Sequence, residues 1–136
     1  GLENWDVSNV TNMYRMFTWC KIFNADLSNW DMSNVENAGY MFYCCKNFNC
    51  DLSKWNVSKM TDMRHMFRLC KNFDCDLSNW NVSNVTDMYS MFIACENFKG
   101  KGLENWDVSK VKDMNYMFNG CDKMTFPSWY KLYRRK

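Results

Sequence analysis

The stretch Leu52-Ser53-Lys54-Trp55-Asn56-Val57-Ser58-Lys59-Met60-Thr61-Asp62-Met63-Arg64-His65-Met66-Phe67-Arg68-Leu69-Cys70-Lys71-Asn72-Phe73-Asp74-Cys75-Asp76 decides how this chain folds. It opens with Leu52, Trp55 and Val57. Trp55 and Val57 fall on one side of an extended segment and Lys54, Asn56 and Ser58 on the other, the alternation of a strand with one buried face. Met63, Met66, Phe67 and Cys70 follow at i, i+3, i+4 and i+7, the apolar stripe of a short helix. Thr61 stands just before that stripe, where a helix N-cap belongs, as do Thr11 and Thr86 in their own units. Phe73 leads the return. The pattern predicts a short strand, a turn, about two turns of helix and a return segment.

Working outward, the same text recurs along the whole chain. Aligning the tryptophans gives Trp5, Trp30, Trp55, Trp80 and Trp106, spaced by 25 residues three times and then by 26. The extra residue lies in Phe98-Lys99-Gly100-Lys101-Gly102. Repetition explains a composition of twelve Met, eight Cys, seven Trp and ten Phe beside five Gly and one Pro. A unit of this size is one supersecondary element that must stack on its neighbours to bury its apolar side. Unit two carries Ala38-Gly39 where others have Met and a larger residue, so its helix is expected to be the weakest. After Cys121 the template stops. The run Met124-Thr125-Phe126-Pro127-Ser128-Trp129-Tyr130 then reads as a lid over the last unit, with residues 122–133 as a C-terminal cap. Gly1-Leu2-Glu3-Asn4-Trp5-Asp6-Val7-Ser8 reappears as Gly102 to Ser109, so the chain starts inside a repeat. The expectation is a piece of something longer on its N-terminal side.

Charge narrows the function classes. The net charge is +2, and four of the seventeen basic groups (Lys131, Arg134, Arg135, Lys136) sit in the last six residues. Without them the body is near neutral, with no basic face of the kind a nucleic-acid footprint needs. The tail reads as a solvated charged terminus. No stretch approaches the ~18 continuous apolar residues of a membrane span.

Cys20, Cys45, Cys70, Cys95 and Cys121 share one column with Met and Phe and read as a ladder of small buried residues. Cys50 and Cys75 form a second column, where coils ~4.8 Å apart leave a disulfide sterically open. No pair has Cys-x-x-Cys spacing and there is one histidine, so no metal site is expected. His65 shares its column with Arg15, Tyr40, Ser90 and Tyr116, a variety that predicts an outward position. Gly-rich phosphate loops and clustered carboxylates are missing, so the sequence is not read as an enzyme and no cofactor is expected. Asp6, Asp31, Asn56, Asn81 and Asp107 form a column expected to hydrogen-bond from coil to coil. Asp26, Asp51 and Asp76 are expected to cap turns through nearby backbone N–H groups. The sequons at Asn9, Asn56, Asn81 and Asn84 follow from the repeated text and say little about secretion.

Leu-x-x-Trp-x-Val resembles a leucine-rich-repeat strand motif with Trp in the second Leu place. The following Val-Thr-x-Met-x-x-Met-Phe-x-x-Cys-x-x-Phe resembles the BspA-like leucine-rich repeats over residues 2 to about 124. It looks closest to the 25-residue variety of mycoplasma surface lipoproteins, other bacterial surface proteins, and some protist and giant-virus proteins. The resemblance implies a parallel strand stack and a surface or interaction role, and it implies no catalytic residues. The fold class expected is therefore an α/β repeat solenoid, leucine-rich-repeat-like. It would have about five 25-residue coils over residues 1–121, each with a short parallel strand and a short helix, followed by a cap and basic tail over 122–136.

Two functions compete at this stage: a surface-displayed recognition or adhesion module that binds protein, and a structural component of a larger assembly such as a virus particle. Eight apparently unpaired Cys fit manufacture in a reducing compartment, while the resemblance suggests a cell surface or a virion. Exposed Tyr and Arg are enriched at protein interfaces. The expected contact residues are Tyr14, Arg15, Tyr40, Arg64, His65, Tyr89 and Tyr116 on the helix side, with Asp31, Asn56 and Asn81 on the strand face.

Overall fold

In a computed structural model that describes residues 1–134, the repeat units stack as coils, each hydrogen-bonded to the next. Coil three shows the rule. Met63, His65, Phe67 and Leu69 donate their backbone N–H groups to the carbonyls of Asp87, Tyr89, Met91 and Ile93, at 2.8–3.0 Å. The intervening residues close local turns, with Met66 N–H to the Met63 carbonyl at 3.2 Å and Cys70 N–H to the Phe67 carbonyl at 3.0 Å. Every second donor thus reaches forward one coil while the others fold the chain back on itself. Single parallel bridges mark the register, running Asn12–Asn37–Asp62–Asp87–Asp113.

This corrects the expected fold class. Among the described residues the only helices are two three-residue 3₁₀ turns, Leu2–Asn4 and Leu103–Asn105, and the terminal helix α1, Ser128–Arg134. No coil carries a helix, and the extended segments pair at isolated bridges rather than as strands of a sheet. The chain is not a solenoid of alternating strands and helices. The physical reason lies in the spacing of the coils. Phe42, Phe67 and Phe92 stack with ring centroids 5.6 Å apart, and Trp55, Trp80 and Trp106 stack 6.3–6.4 Å apart on another side of the core. A helix is about 10 Å across with its side chains, so helices on successive coils could not pack at this pitch.

Met63, Met66, Phe67 and Cys70 are all fully buried, as the stripe required. A run of tight turns buries the same i, i+3, i+4, i+7 set. Two columns of positive φ interrupt the helical path, at Arg15, Tyr40, His65, Ser90 and Tyr116 (φ 56–62°) and at Trp19, Cys44, Leu69 and Ala94 (φ 58–66°). Gly120 continues the second column at φ 77°. Each such residue is third in a four-residue turn and has φ > 0 only there, the requirement of a type II turn. Thr61 and Thr86 are not N-caps. Their hydroxyls donate to the preceding coil, to the carbonyls of Glu36 and Thr61 at 3.4 and 3.3 Å. Ala38-Gly39 weakens no helix, since none is there.

The core is a set of ladders. Each inner Trp indole N–H donates to the Leu carbonyl of the preceding coil: Trp30 to Leu2, Trp55 to Leu27 and Trp80 to Leu52, all at 2.9 Å, and Trp106 to Leu77 at 3.1 Å. Helix α1 closes the stack by imitating a further coil. Trp129 stacks on Trp106 at 6.4 Å and 6°, and its indole donates to the Leu103 carbonyl at 2.8 Å. The Tyr133 hydroxyl accepts the Met114 N–H at 3.4 Å, taking the place of the carbonyl that a sixth coil would offer. Glu104 accepts both the N–H and the hydroxyl of Ser128, fixing the start of α1. Of the basic tail, Arg135 and Lys136 lie outside the described residues.

Candidate functional site

The cysteines explain themselves first. Cys45, Cys70, Cys95 and Cys121 are buried, and each thiol donates to the Phe carbonyl of the preceding coil at 2.9–3.0 Å. Cys20, in the first coil, is exposed. Burial pushes the Cys45 and Cys121 thiols up to about 12, and those of Cys70 and Cys95 well above the ordinary value. A thiol that stays protonated is a hydrogen-bond donor and not a nucleophile. The second column works the other way round. The sulfurs of Cys50 and Cys75 accept the N–H of Leu27 and Leu52 at 3.2 Å, and all eight cysteines are free thiols.

The acidic and amide columns are likewise local structure. Asp26, Asp51 and Asp76 accept the N–H of Ser28, Ser53 and Ser78 at 2.9–3.0 Å, the turn-capping role expected of them. Asp31, Asn56 and Asn81 do the same for Ser33, Ser58 and Ser83 at 3.0 Å, so they do not bond from coil to coil as expected. They are exposed, but one oxygen of each is committed to its own turn. The coil-to-coil polar chain lies three residues further on. Lys59 Nζ donates to Asn34 Oδ1 at 2.8 Å, and Asn84 Nδ2 donates to the Ser58 carbonyl at 2.8 Å.

The remaining expected contact residues are brought together. Tyr14, Tyr40, His65, Tyr89 and Tyr116 form one continuous strip across all five coils. The successive ring separations are 5.6 Å (Tyr14–Tyr40), 4.3 Å (Tyr40–His65), 5.2 Å (His65–Tyr89) and 5.7 Å (Tyr89–Tyr116). Arg15 lies over both the Tyr14 and Tyr40 rings, at 5.3 and 4.9 Å. Arg64 of coil three reaches the Tyr14 ring of coil one at 5.8 Å. Gly39 makes that reach possible: a Cβ there would stand 3.1 Å from the Tyr14 ring. Sequence reasoning missed Tyr43, Arg68 and Trp19. Arg68 lies over Tyr43 at 5.6 Å, and Tyr43 meets Tyr40 at 5.6 Å and Trp19 at 5.4 Å.

A signal for the strip was present in the sequence. Residues 14–20, 39–45, 64–70, 89–95 and 115–121 contain none of the fifteen Asp and Glu residues, and their only permanent charges are Arg15, Arg64 and Arg68. Arg64 pairs with Asp62 at 3.3 Å. Among the described residues, Arg15 and Arg68 make no ion pair.

His65 departs from its expected outward position. It is only 6% exposed, stacked on Tyr40 and edge-on to Tyr89. Its Nδ1 lies 3.3 Å from Arg68 Nη1. A guanidinium can only donate, so Nδ1 is the acceptor and the ring is neutral. Burial, then Arg68 and Arg64, bring its pKa down to about 4 from 6.5. Between those values the unfolded chain binds a proton that the folded chain refuses, so stability rises with pH across the window and falls on acidification, by about 2–3 kcal/mol at most. Asp62, raised by burial, acts with the opposite sign near the bottom of that window, so the parent must be compared directly with a variant. Urea unfolding of His65→Phe is expected to show a much flatter dependence between pH 6.5 and 4 than the parent; equal slopes would contradict this account.

Comparison with known proteins adds one match. The family model described as Mycoplasma protein of unknown function, DUF285, matches residues 1–74 and 49–129. Among curated proteins and solved structures, none matches the chain.

Proposed function

We propose, for a chain that belongs to the family described as Mycoplasma protein of unknown function, DUF285, that its function is recognition of a protein partner through the tyrosine and arginine strip, without catalysis. The observation that carries this reading is the continuity of the strip. Tyr14, Tyr40, Tyr43, Tyr89 and Tyr116 come from four coils, with His65 of coil three bridging them, yet make one surface with Arg15, Arg64 and Arg68 among them. Tyr and Arg supply large contact area and several donors for little conformational entropy, which is why they dominate binding hot spots. Rings already packed against one another lose still less on binding. The likeness of the repeat text to BspA-like surface proteins supports display of this strip at a surface, in a recognition or adhesion role.

Replacing Tyr14, Tyr40, Tyr89 and Tyr116 together with Ala is expected to weaken binding to a purified partner by at least about thirtyfold. The corresponding Phe variants, which keep the packing, separate contact loss from unfolding, and a thermal melt of each checks the fold. Undiminished affinity in the Ala variant with its fold intact would sink the proposed interface.

A further inference from the structure

The strip is chemically one-sided, and its partner should be the complement. We infer that it takes an acidic polypeptide segment, with Arg15 and Arg68 as the two carboxylate receptors; this deepens the recognition reading above and rests on it. Both guanidinium groups are held in place by aromatic rings, Arg15 by Tyr14 and Tyr40 and Arg68 by Tyr43. Arg68 is further fixed by its contact with His65 Nδ1. A guanidinium is a planar fork of donors that matches a carboxylate in two-point contact. Held in advance, it loses little freedom when the anion arrives.

The flanking column strengthens the sign of this surface at one end. Lys21 and Lys46 follow the strip in coils one and two, whereas in coils three and four Lys71 pairs with Glu96 at 3.7 Å and Asp122 holds the same column in coil five. Arg15, Arg64 and Arg68 also belong to coils one to three. The positive end of the strip is therefore the end where the arginines stand, and an acidic segment would lie across coils one to three.

The same geometry argues against stacking ligands. Tyr40 has Arg15 over it from coil one and His65 stacked on it from coil three, at 4.9 and 4.3 Å. Tyr14 and Tyr43 have guanidinium groups over their rings. Nucleobases bind single-strand platforms through free ring faces, and at Tyr14, Tyr40 and Tyr43 guanidinium or imidazole groups already lie over the rings. Among the described residues, the hydroxyls of Tyr14, Tyr40 and Tyr43 make no hydrogen bond within the chain, so they too are available to carboxylates.

The test is fluorescence polarisation of labelled polyglutamate on the intact chain at low ionic strength, with a sulfated polysaccharide and a single-stranded oligonucleotide as competing probes. Polyglutamate is expected to bind, to be released by added salt, and to lose at least about tenfold in affinity when Arg15→Gln and Arg68→Gln are combined. Arg15→Lys with Arg68→Lys should recover only part of that loss, because an ammonium keeps the charge without the fork. Lys101→Gln with Lys110→Gln removes as much charge elsewhere and should leave binding unchanged. Equal binding by the arginine double variant, absence of binding, or preference for the polysaccharide or oligonucleotide would each overturn the inference. If the tyrosine variants lose the natural partner while Arg15→Gln/Arg68→Gln keeps it, the contact surface stands and only the acidic partner is wrong. If both sets keep it, the surface itself is wrong.

Discussion

Phe67→Ala is expected to lower stability by about 3–5 kcal/mol, a large share of the total for a chain of this size. Phe67 is fully buried at the centre of the stack, with Phe42 and Phe92 each 5.6 Å away and Phe73 at 4.1 Å. Deleting the ring removes its transfer energy and leaves a cavity that the neighbours cannot fill, because their backbones are pinned coil to coil at 2.9 Å. In a stack whose core ladders run from each coil to the next, the damage also uncouples coils one and two from coils four and five. Urea unfolding should therefore show a lower midpoint and a broader or split transition. Phe67→Leu, which keeps most of the volume, should cost markedly less. A loss below about 1 kcal/mol for Phe67→Ala would mean that the phenylalanine ladder does not carry the fold.

Gly102→Ala is expected to cost at least about 3 kcal/mol, far more than the same change at Gly100. Gly102 has φ +90°, and a Cβ there would meet the backbone N and Cα of Ser78 in the preceding coil and stand 2.7 Å from its Cβ. Backbone cannot step aside as a side-chain end can. Gly100 has a similar φ, +77°, but its added Cβ would meet the terminal methyl of Met124 at 2.9 Å, a group free to swing away. The two variants share the penalty for left-handed backbone, about 1–2 kcal/mol, and differ in the collision. Thermal melts of both separate the two contributions. Equal losses would show that the close approach of Gly102 to Ser78 is unimportant.

The contrast between these glycines shows how the odd spacing of the last unit is absorbed. The extra residue in Phe98-Lys99-Gly100-Lys101-Gly102 is taken up by a turn in which the Lys101 carbonyl accepts the Leu77 N–H at 3.1 Å. In earlier coils a cysteine sulfur serves the equivalent leucine, at 3.2 Å. Coil five then resumes the register, and its Trp106 still finds the Leu77 carbonyl.

The contact strip was legible in part. Variation at positions 15, 40, 65, 90 and 116 looked like exposure, and for Arg15 and Tyr116 it is. For His65 and Ser90 it is not, since both are buried. Every member of the column occupies a positive-φ turn position, so the shared feature is a backbone conformation and not exposure. Tyr43 and Arg68 escape a helical reading because each is second in a further tight turn, Phe42–Cys45 and Phe67–Cys70, whose path a helix does not follow.

The sequence by itself determined the repeat, its 25-residue period, the break after Cys121 and which side chains go inside. Those follow from residue type and spacing alone: Trp55, Val57, Met63, Met66, Phe67 and Cys70 are all buried. What only the tertiary structure decided is the backbone path between them. An i, i+3, i+4, i+7 stripe is compatible with a helix, whose N–H groups bond within the segment, and with a run of tight turns, whose alternate N–H groups need a partner. Here that partner is the next coil, with the His65 N–H on the Tyr89 carbonyl and the Phe67 N–H on the Met91 carbonyl, both at 2.9 Å. One unit's sequence cannot reveal the choice, because those hydrogen bonds exist only once an identical unit has stacked at a pitch too close for a helix.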